Sequence, residues 1–338
     1  MTTSSTATTP TLSVHNLQMH FSAREGIVKA VEDVSFSVAP GQILGLVGES
    51  GSGKSMTAYS IMGLIDEGGS NSGKIVGGQV LLQGQDLLTL SPEAMRRVRG
   101  NRIAMIFQDP MMTLNPVLRI DTQMMEAVLA HQDVGKAAAR AMARDALARV
   151  GIASPDQRLL AYPHQFSGGM RQRVAIAIAL LNKPDLIICD EPTTALDVTI
   201  QGQILYEMQK LCRESGTALI WITHDLSVIA GLADAVCVMY AGKIVESGSV
   251  REVLEQARHP YTHGLIASSP SKNQRGLPLR QISGMTPSLL NLPSGCAFRT
   301  RCERATAMCS NTPPLLVDGA RSLRCFHPIT ATSGVPHE

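Results

Sequence analysis

Gly48-Glu49-Ser50-Gly51-Ser52-Gly53-Lys54-Ser55 sits between the apolar run Ile43 to Val47 and a helix-forming segment that begins near Met56. The order strand, glycine-rich turn, helix leaves a row of free backbone N–H groups at a helix N-terminus, where glycines let the chain wrap an anion at close range. In the G-x-x-x-x-G-K-[ST] spacing, Gly48, Ser50, Gly51 and Gly53 form the cradle and Met56 opens the helix. Lys54 reaches the β- and γ-phosphates, and the Ser55 hydroxyl holds Mg²⁺. The stretch predicts a phosphate-binding loop in an α/β protein.

On the N-terminal side, Val34, Phe36 and Val38 alternate with polar Asp33, Ser35 and Ser37, the pattern of a half-buried strand that ends at the Pro40-Gly41 turn. Phe21, further upstream, is either a base-stacking ring or a core phenylalanine. On the C-terminal side a helix is expected to about Ile65, then a Gly/Ser-rich turn from Gly68 to Gly73, then a strand pair over Ile75 to Gln83 broken at Gly77-Gly78. Ile103 to Phe107 reads as a buried strand that delivers Gln108 to the edge of an open sheet, where it would bind Mg²⁺ or water, or merely cap a loop.

Ile120 to Val150 turns helical and Ala-rich, as in an inserted helical subdomain. Gln165 to Arg173 leads into a helix with its N-cap near Ser167, so Ser167, Gly168 and Gly169 form a second anion site. Leu186 to Cys189 is another buried strand, closed by Asp190 and Glu191. Adjacent carboxylates at a strand end can divide their work, one orienting Mg²⁺ and the other polarising a water. Ala218 to Ile222 ends in Thr223-His224-Asp225, and Ala235 to Tyr240 forms a hairpin with Lys243 to Glu246 through Ala241-Gly242.

At 338 residues the chain is expected to form two units. Thirty Lys+Arg against 28 Asp+Glu give a formal charge of +2, which supplies no global field toward nucleic acid or anionic lipid. The longest purely apolar run, Val174 to Leu181, falls far short of the ~20 residues of a membrane-spanning helix. Met1 to Pro10 is Thr/Ser-rich without a basic start or apolar core, so it is expected to be a disordered tail rather than a secretory signal. Cys189, Cys212 and Cys237 lie in apolar or helical stretches and read as buried thiols. Cys296, Cys302, Cys309 and Cys325 are spaced C-x5-C-x6-C-x15-C, and such convergent thiolates suit a metal site better than a disulfide in a reducing cytosol.

Taken together, these stretches resemble the ATP-binding subunit of an ABC transporter. The resemblance implies a P-loop NTPase core with an antiparallel β subdomain, a helical subdomain at about 109–170, and a small Cys-rich C-terminal extension. Residues 11–255 would form the nucleotide-binding domain and 256–338 the extension. By resemblance, Gly48 to Ser55 is the Walker A loop, Gln108 the Q-loop residue, Ser167-Gly168-Gly169 the signature and Leu186 to Asp190 the Walker B strand. Glu191 would be the catalytic carboxylate, Ala195-Leu196-Asp197 the D-loop, His224 the switch histidine and Phe21 the adenine-stacking ring. Met170 stands where the family commonly has Gln. The resemblance also implies that each ATP is shared between Walker A of one subunit and the signature of its partner. The Gln108 loop and the helical segment after it would form a groove for a membrane subunit's cytoplasmic helix.

The tail, with Leu292 to Phe298, Arg301-Cys302, Pro313-Pro314-Leu315 and Arg324-Cys325, resembles that of oligopeptide, dipeptide and nickel importer ATPases. This implies an ATPase that powers peptide import, with two permease subunits, a second homologous ATPase and an extracytoplasmic solute-binding protein, at the cytoplasmic face of the inner membrane. Nickel or another small solute is the alternative cargo, and a soluble ABC ATPase acting on ribosomes or DNA the alternative class. The lack of a basic patch argues against nucleic acid. The wide cysteine spacing together with this resemblance favours a [4Fe-4S] cluster over zinc, whose knuckles are tighter. Arg299, Arg301, Arg304, Arg321 and Arg324 are expected to offset its negative charge.

Overall fold

The computed structural model describes residues 9–65, 72–109, 113–193, 198–273, 276 and 278–330. Most of the expected N-terminal tail lies outside these residues, as do Ala195, Leu196, Asp197 and much of the expected turn at 68–73. The strands are β1 (Leu12–Ala23), β2 (Gly26–Val38), β3 (Ile43–Val47), β4 (Gly73–Leu82), β5 (Gln85–Asp86), β6 (Ile103–Ile106), β7 (Leu186–Asp190), β8 (Ala218–Thr223), β9 (Ala235–Tyr240), β10 (Lys243–Ser249), β11 (Leu316–Asp318) and β12 (Arg321–Leu323). The chain divides into two compact units, one of Met1–Ser13, Ser37–Ile43 and Leu81–Ile222, the other of Val14–Phe36, Leu44–Val80 and Thr223–Glu338.

In the first unit β6, β7 and β8 run parallel, with Ile103 opposite Leu186 and Leu186 opposite Ala218. Every residue of β7 and β8 is buried, which is why both read as continuous apolar runs rather than alternating ones. The Ala-rich stretch forms two helices, Ile120–Leu129 and Lys136–Arg149. The second buries Ala139, Ala143, Ala146 and Leu147, a stripe at helical spacing whose small side chains let Gly168–Leu180 pack close.

In the second unit β3 pairs parallel with β9, and β9 forms the expected hairpin with β10. One expectation is corrected. Ile75 to Leu82 is no broken pair but part of the single strand β4, with Gln83 in the turn after it: a Cβ on Gly78, at φ +98°, would stand 2.5 Å from Leu17 Cα, so the glycine permits close approach to β1 instead of a break. In the C-terminal segment the β11–β12 hairpin extends the sheet, with Leu323 opposite Glu246.

That junction holds the most deeply buried charge of this unit. Glu246, 0% exposed, accepts from the backbone N–H groups of Arg258 (2.8 Å) and His259 (3.0 Å) and from Arg321 Nη2 at 2.6 Å. His259 is buried beside it, and its Nδ1 accepts the Tyr261 N–H at 3.0 Å to cap the helix Pro260–Ala267. Burial pushes the His259 pKa down from 6.5 to about 4, against the upward pull of a hydrogen bond to the Arg324 backbone.

Two outcomes follow from these groups. Arg321→Met strands the Glu246 carboxylate and should lower unfolding free energy by about 3–5 kcal/mol in urea titrations; a loss under about 1 kcal/mol would contradict the buried pair. The depressed His259 pKa means the unfolded chain binds the extra proton first. Its contribution, roughly 3 kcal/mol, is complete above pH 6.5 and is lost as pH falls from 6.5 through about 4. A His259→Gln variant should lack that part of the pH dependence.

Candidate functional site

The phosphate loop leaves β3, all five of whose residues are buried, and turns on Gly48 (φ +153°), Gly51 (φ +76°) and Gly53 (φ +103°). A Cβ on Gly48 would lie 2.2 Å from the Met239 carbonyl oxygen, and one on Gly53 2.4 Å from that of Ala30. The helix Lys54–Met62 starts two residues before the expected Met56, and its first turn carries no acidic residue to compete with an anion. Lys54 is buried, its Nζ donating to the carbonyls of Gly48 (2.8 Å) and Glu49 (3.0 Å), while Ser50 and Gly51 are exposed and Ser55 and Met56 half-buried.

Glu49 is the loop residue that sequence reading passed over. Its N–H donates to the Tyr261 hydroxyl at 2.9 Å. Its carboxylate accepts from both terminal nitrogens of Arg301, at 2.7 and 3.0 Å, and from Thr286 Oγ1 at 2.9 Å. Burial alone would raise the Glu49 pKa; the hydrogen bonds from Arg301 and Thr286 and the Arg301 charge outweigh it and hold the carboxyl below its usual range. No sequence signal marks a pair 252 positions apart.

In the same unit Phe21 is half-buried on β1, close enough to Gly73 that a Cβ there would stand 2.9 Å from the ring. His224 is exposed at the end of β8, just before the helix Leu226–Leu232 that Asp225 caps through the Ser227 N–H at 2.8 Å.

In the other unit Asp190 is buried at the end of β7, and Glu191 follows in the left-handed region at φ +45°, a conformation unusual for a non-glycine residue and concentrated at functional sites. Gln108, exposed after β6, donates from Nε2 to Glu191 Oε2 at 3.4 Å. Ser167 caps Gly168–Leu180 by accepting the Met170 N–H at 3.4 Å, and Ser167 and Gly168 are exposed. A Cβ on Gly169 would press on Ile200 Cγ2 at 3.0 Å.

Cys296, Cys302, Cys309 and Cys325 line one small cavity with His259, Phe298 and His327. Burial raises the pKa values of Cys296, Cys302 and Cys325, the last to about 11, and the neighbouring thiols add to each shift. Among the described residues no three His, Cys, Asp or Glu side chains are gathered tightly enough for a single metal ion. Of the arginines expected around the cysteines, Arg299 and Arg304 line the same cavity, with Arg304 Nε donating to the His327 carbonyl, while Arg301, Arg321 and Arg324 are engaged with Glu49, Glu246 and Asp33. Cys189, Cys212 and Cys237 are buried, as expected.

The profile of the ABC transporter family matches residues 31–194, and that of the oligopeptide/dipeptide transporter C-terminal region matches 245–309. The chain is similar to an ATP-binding cassette solved as a dimer in a post-hydrolysis state with ADP and Pi, at TM-score 0.63 and 25% identity, over 71% of this chain and 99% of that one. The oligopeptide transport ATP-binding protein OppD of Salmonella typhimurium is 46% identical over 319 residues, 94% of each chain. The dipeptide transport ATP-binding protein DppD of Bacillus subtilis is 48% identical over 303 residues, 90% of each. The chain thus has the ABC ATPase fold, and it belongs to the ABC transporter ATP-binding proteins of the oligopeptide/dipeptide branch.

Gly53→Ala would force a Cβ against the Ala30 carbonyl from a left-handed backbone. It should cost at least about 2 kcal/mol of stability and weaken nucleotide binding more than tenfold. Unchanged binding in isothermal titration would refute this account of the cradle.

Proposed function

We propose that this chain is the ATP-binding and hydrolysing subunit that powers import of di- and oligopeptides across the cytoplasmic membrane. The observation that carries the reading is the glycine cradle, with Lys54 folded onto its carbonyls at a helix N-terminus, in a chain that also matches the peptide-transporter C-terminal region. The relatives named for oligopeptide and dipeptide transport support the cargo class.

In this reading Gly48, Ser50, Gly51, Gly53 and Met56 enclose the triphosphate with their backbone, Lys54 neutralises its β- and γ-phosphates, and Phe21 stacks on the base. Mg²⁺, when bound, supplies charge neutralisation of the phosphates. Ser55, Asp190 and Gln108 are the groups suited to hold it, a hydroxyl, a buried carboxylate and an amide oxygen matching a hard cation. Glu191, already in hydrogen-bond reach of Gln108, orients the attacking water with His224. Ser167, Gly168 and Gly169 offer a serine-capped helix start to the nucleotide of a partner subunit, and Asp197 is a further nucleotide-binding candidate. Nucleotide then joins two ATPase subunits, this chain and a homologue, and hydrolysis separates them.

After a tail at 1–10, residues 11–255 form the nucleotide-binding domain, with 109–170 as the part that meets the permeases, and 256–338 form the Cys-rich extension. Among the described residues no helix is long and apolar enough to cross a membrane. Attachment at the cytoplasmic face of the inner membrane would therefore run through two permease subunits, supplied by a solute-binding protein outside.

The extension is suited to a [4Fe-4S] cluster on Cys296, Cys302, Cys309 and Cys325. Their C-x5-C-x6-C-x15-C spacing is wider than the C-x2-4-C knuckle usual for zinc, which favours the cluster. The all-thiol donor set fits its chemistry, and the cluster when bound would cross-link the extension.

Glu191→Gln should bind MgATP normally and hydrolyse it at least about 100-fold more slowly. Near-normal turnover would remove Glu191 from its role. Protein purified without oxygen should be brown and carry about four irons per chain. A colourless, iron-free product would remove the cluster.

A further inference from the structure

Glu49 lies inside the phosphate loop, yet most of its hydrogen bonds come from beyond residue 260. Its N–H donates to the Tyr261 hydroxyl, its carboxylate accepts from Thr286 and Arg301, and only its carbonyl is bound from within the loop, by Lys54 Nζ and the Ser52 N–H. Arg301 meets the carboxylate with a two-pronged fork, the geometry in which guanidinium fixes direction as well as charge.

Arg301 is itself immobilised. Its side chain is 4% exposed, its Nε donates to the Ser283 carbonyl at 3.0 Å, and its guanidinium lies 5.9 Å from the ring centroids of both Tyr240 and Phe298. It also stands in the chain beside Cys302, and its N–H donates to the Phe298 carbonyl at 3.0 Å. Phe298 lines the same small cavity as the four cysteines. A short path of contacts thus runs from the thiol-lined cavity through Phe298 and Arg301 to Glu49.

We propose that Arg301 is a positioning residue for the phosphate loop: it sets the loop's affinity for nucleotide through Glu49 and transmits to it the state of the cysteine cavity. The inference rests on the ATPase reading above and deepens it. Glu49 and Arg301 need not touch nucleotide. They hold the backbone that does, so their loss weakens ground state and transition state alike.

The test uses the full-length chain, with equilibrium MgATP binding, steady-state ATPase kinetics and thermal melts. Arg301→Gln should raise both Kd and KM for MgATP about tenfold while kcat stays within about twofold. Arg301→Lys, which keeps charge but loses the fork, should recover only part of the loss. Glu49→Gln reports the same contact from the loop side if the arginine variant does not fold, and the double variant should be no weaker than the worse single one. Cys302→Ala should weaken MgATP binding in the wild-type background and not in Arg301→Gln. Variants that melt lower but bind MgATP as wild type does would reduce the contact to a tail anchor and overturn the proposal, as would a Cys302→Ala effect that persists without Arg301. A wild-type chain that fails to bind MgATP overturns the ATPase reading as well, whereas a binding-competent wild type with indifferent variants overturns the clamp alone.

Discussion

The phosphate loop runs closer to its neighbours than any side chain would allow. With the Met239 carbonyl against Gly48 and the Ala30 carbonyl against Gly53, two backbone segments occupy the space where Cβ atoms would be. The hairpin turn between β9 and β10 completes the contact: the Gly242 N–H donates to the Ser52 carbonyl at 2.9 Å, and the Gly242 carbonyl accepts from the Glu32 N–H at 2.8 Å. Strand β2, the loop and the turn therefore form one backbone-to-backbone layer. The loop's curvature is thereby fixed by contact between backbone segments rather than by side-chain packing.

A second kind of constraint positions the tail. Past Thr262 few apolar side chains among the described residues are buried, chiefly Phe298, Cys309 and Leu323, so hydrophobic area alone gives the tail little hold. Ion pairs instead mark where it lands: Arg301 on Glu49, Arg321 on Glu246 and Arg324 on Asp33 at 2.5 Å. Such buried and partly buried pairs add little net stability over an apolar replacement of both partners, because desolvation cancels much of their attraction. What they impose is register, since a misplaced tail would leave carboxylates and guanidiniums buried without partners. Asp33 adds to this, with its backbone in the left-handed region at φ +57° beside the arginine that pairs with it.

What could be read from the sequence was local. The glycine loop, the all-apolar strands β7 and β8, the Ser167 cap and the β9–β10 hairpin each declare themselves within a dozen residues, because glycine conformation, capping and period are short-range physics. Gly77-Gly78 misled for the same reason: a glycine pair looks like a break until the β1 backbone beside it is known. The Glu49–Arg301 contact was illegible, since neither residue type carries a pattern and only the folded chain brings them together. Counting arginines near the cysteines could not tell Arg299 and Arg304, which line the cavity, from Arg301, Arg321 and Arg324, which pair with carboxylates elsewhere, because composition gives the number of charges but not where they point.

These two constraints meet at Glu49, and their strengths differ in kind. Steric exclusion at Gly48 and Gly53 is steep and does not vary with conditions. A charge-assisted fork is softer and depends on the arginine staying where the segment Cys296 to Cys302 holds it. That segment is pinned by short backbone bonds, Cys296 N–H to the Cys309 carbonyl at 2.9 Å and Arg301 N–H to that of Phe298, and Gly295 approaches the Ser310 carbonyl carbon so closely that a Cβ would stand 2.3 Å away. A ligand that draws the four thiols together would tighten this same short segment. The loop therefore has one fixed boundary, set by glycine against backbone, and one adjustable boundary, set by an arginine whose anchor is the tail.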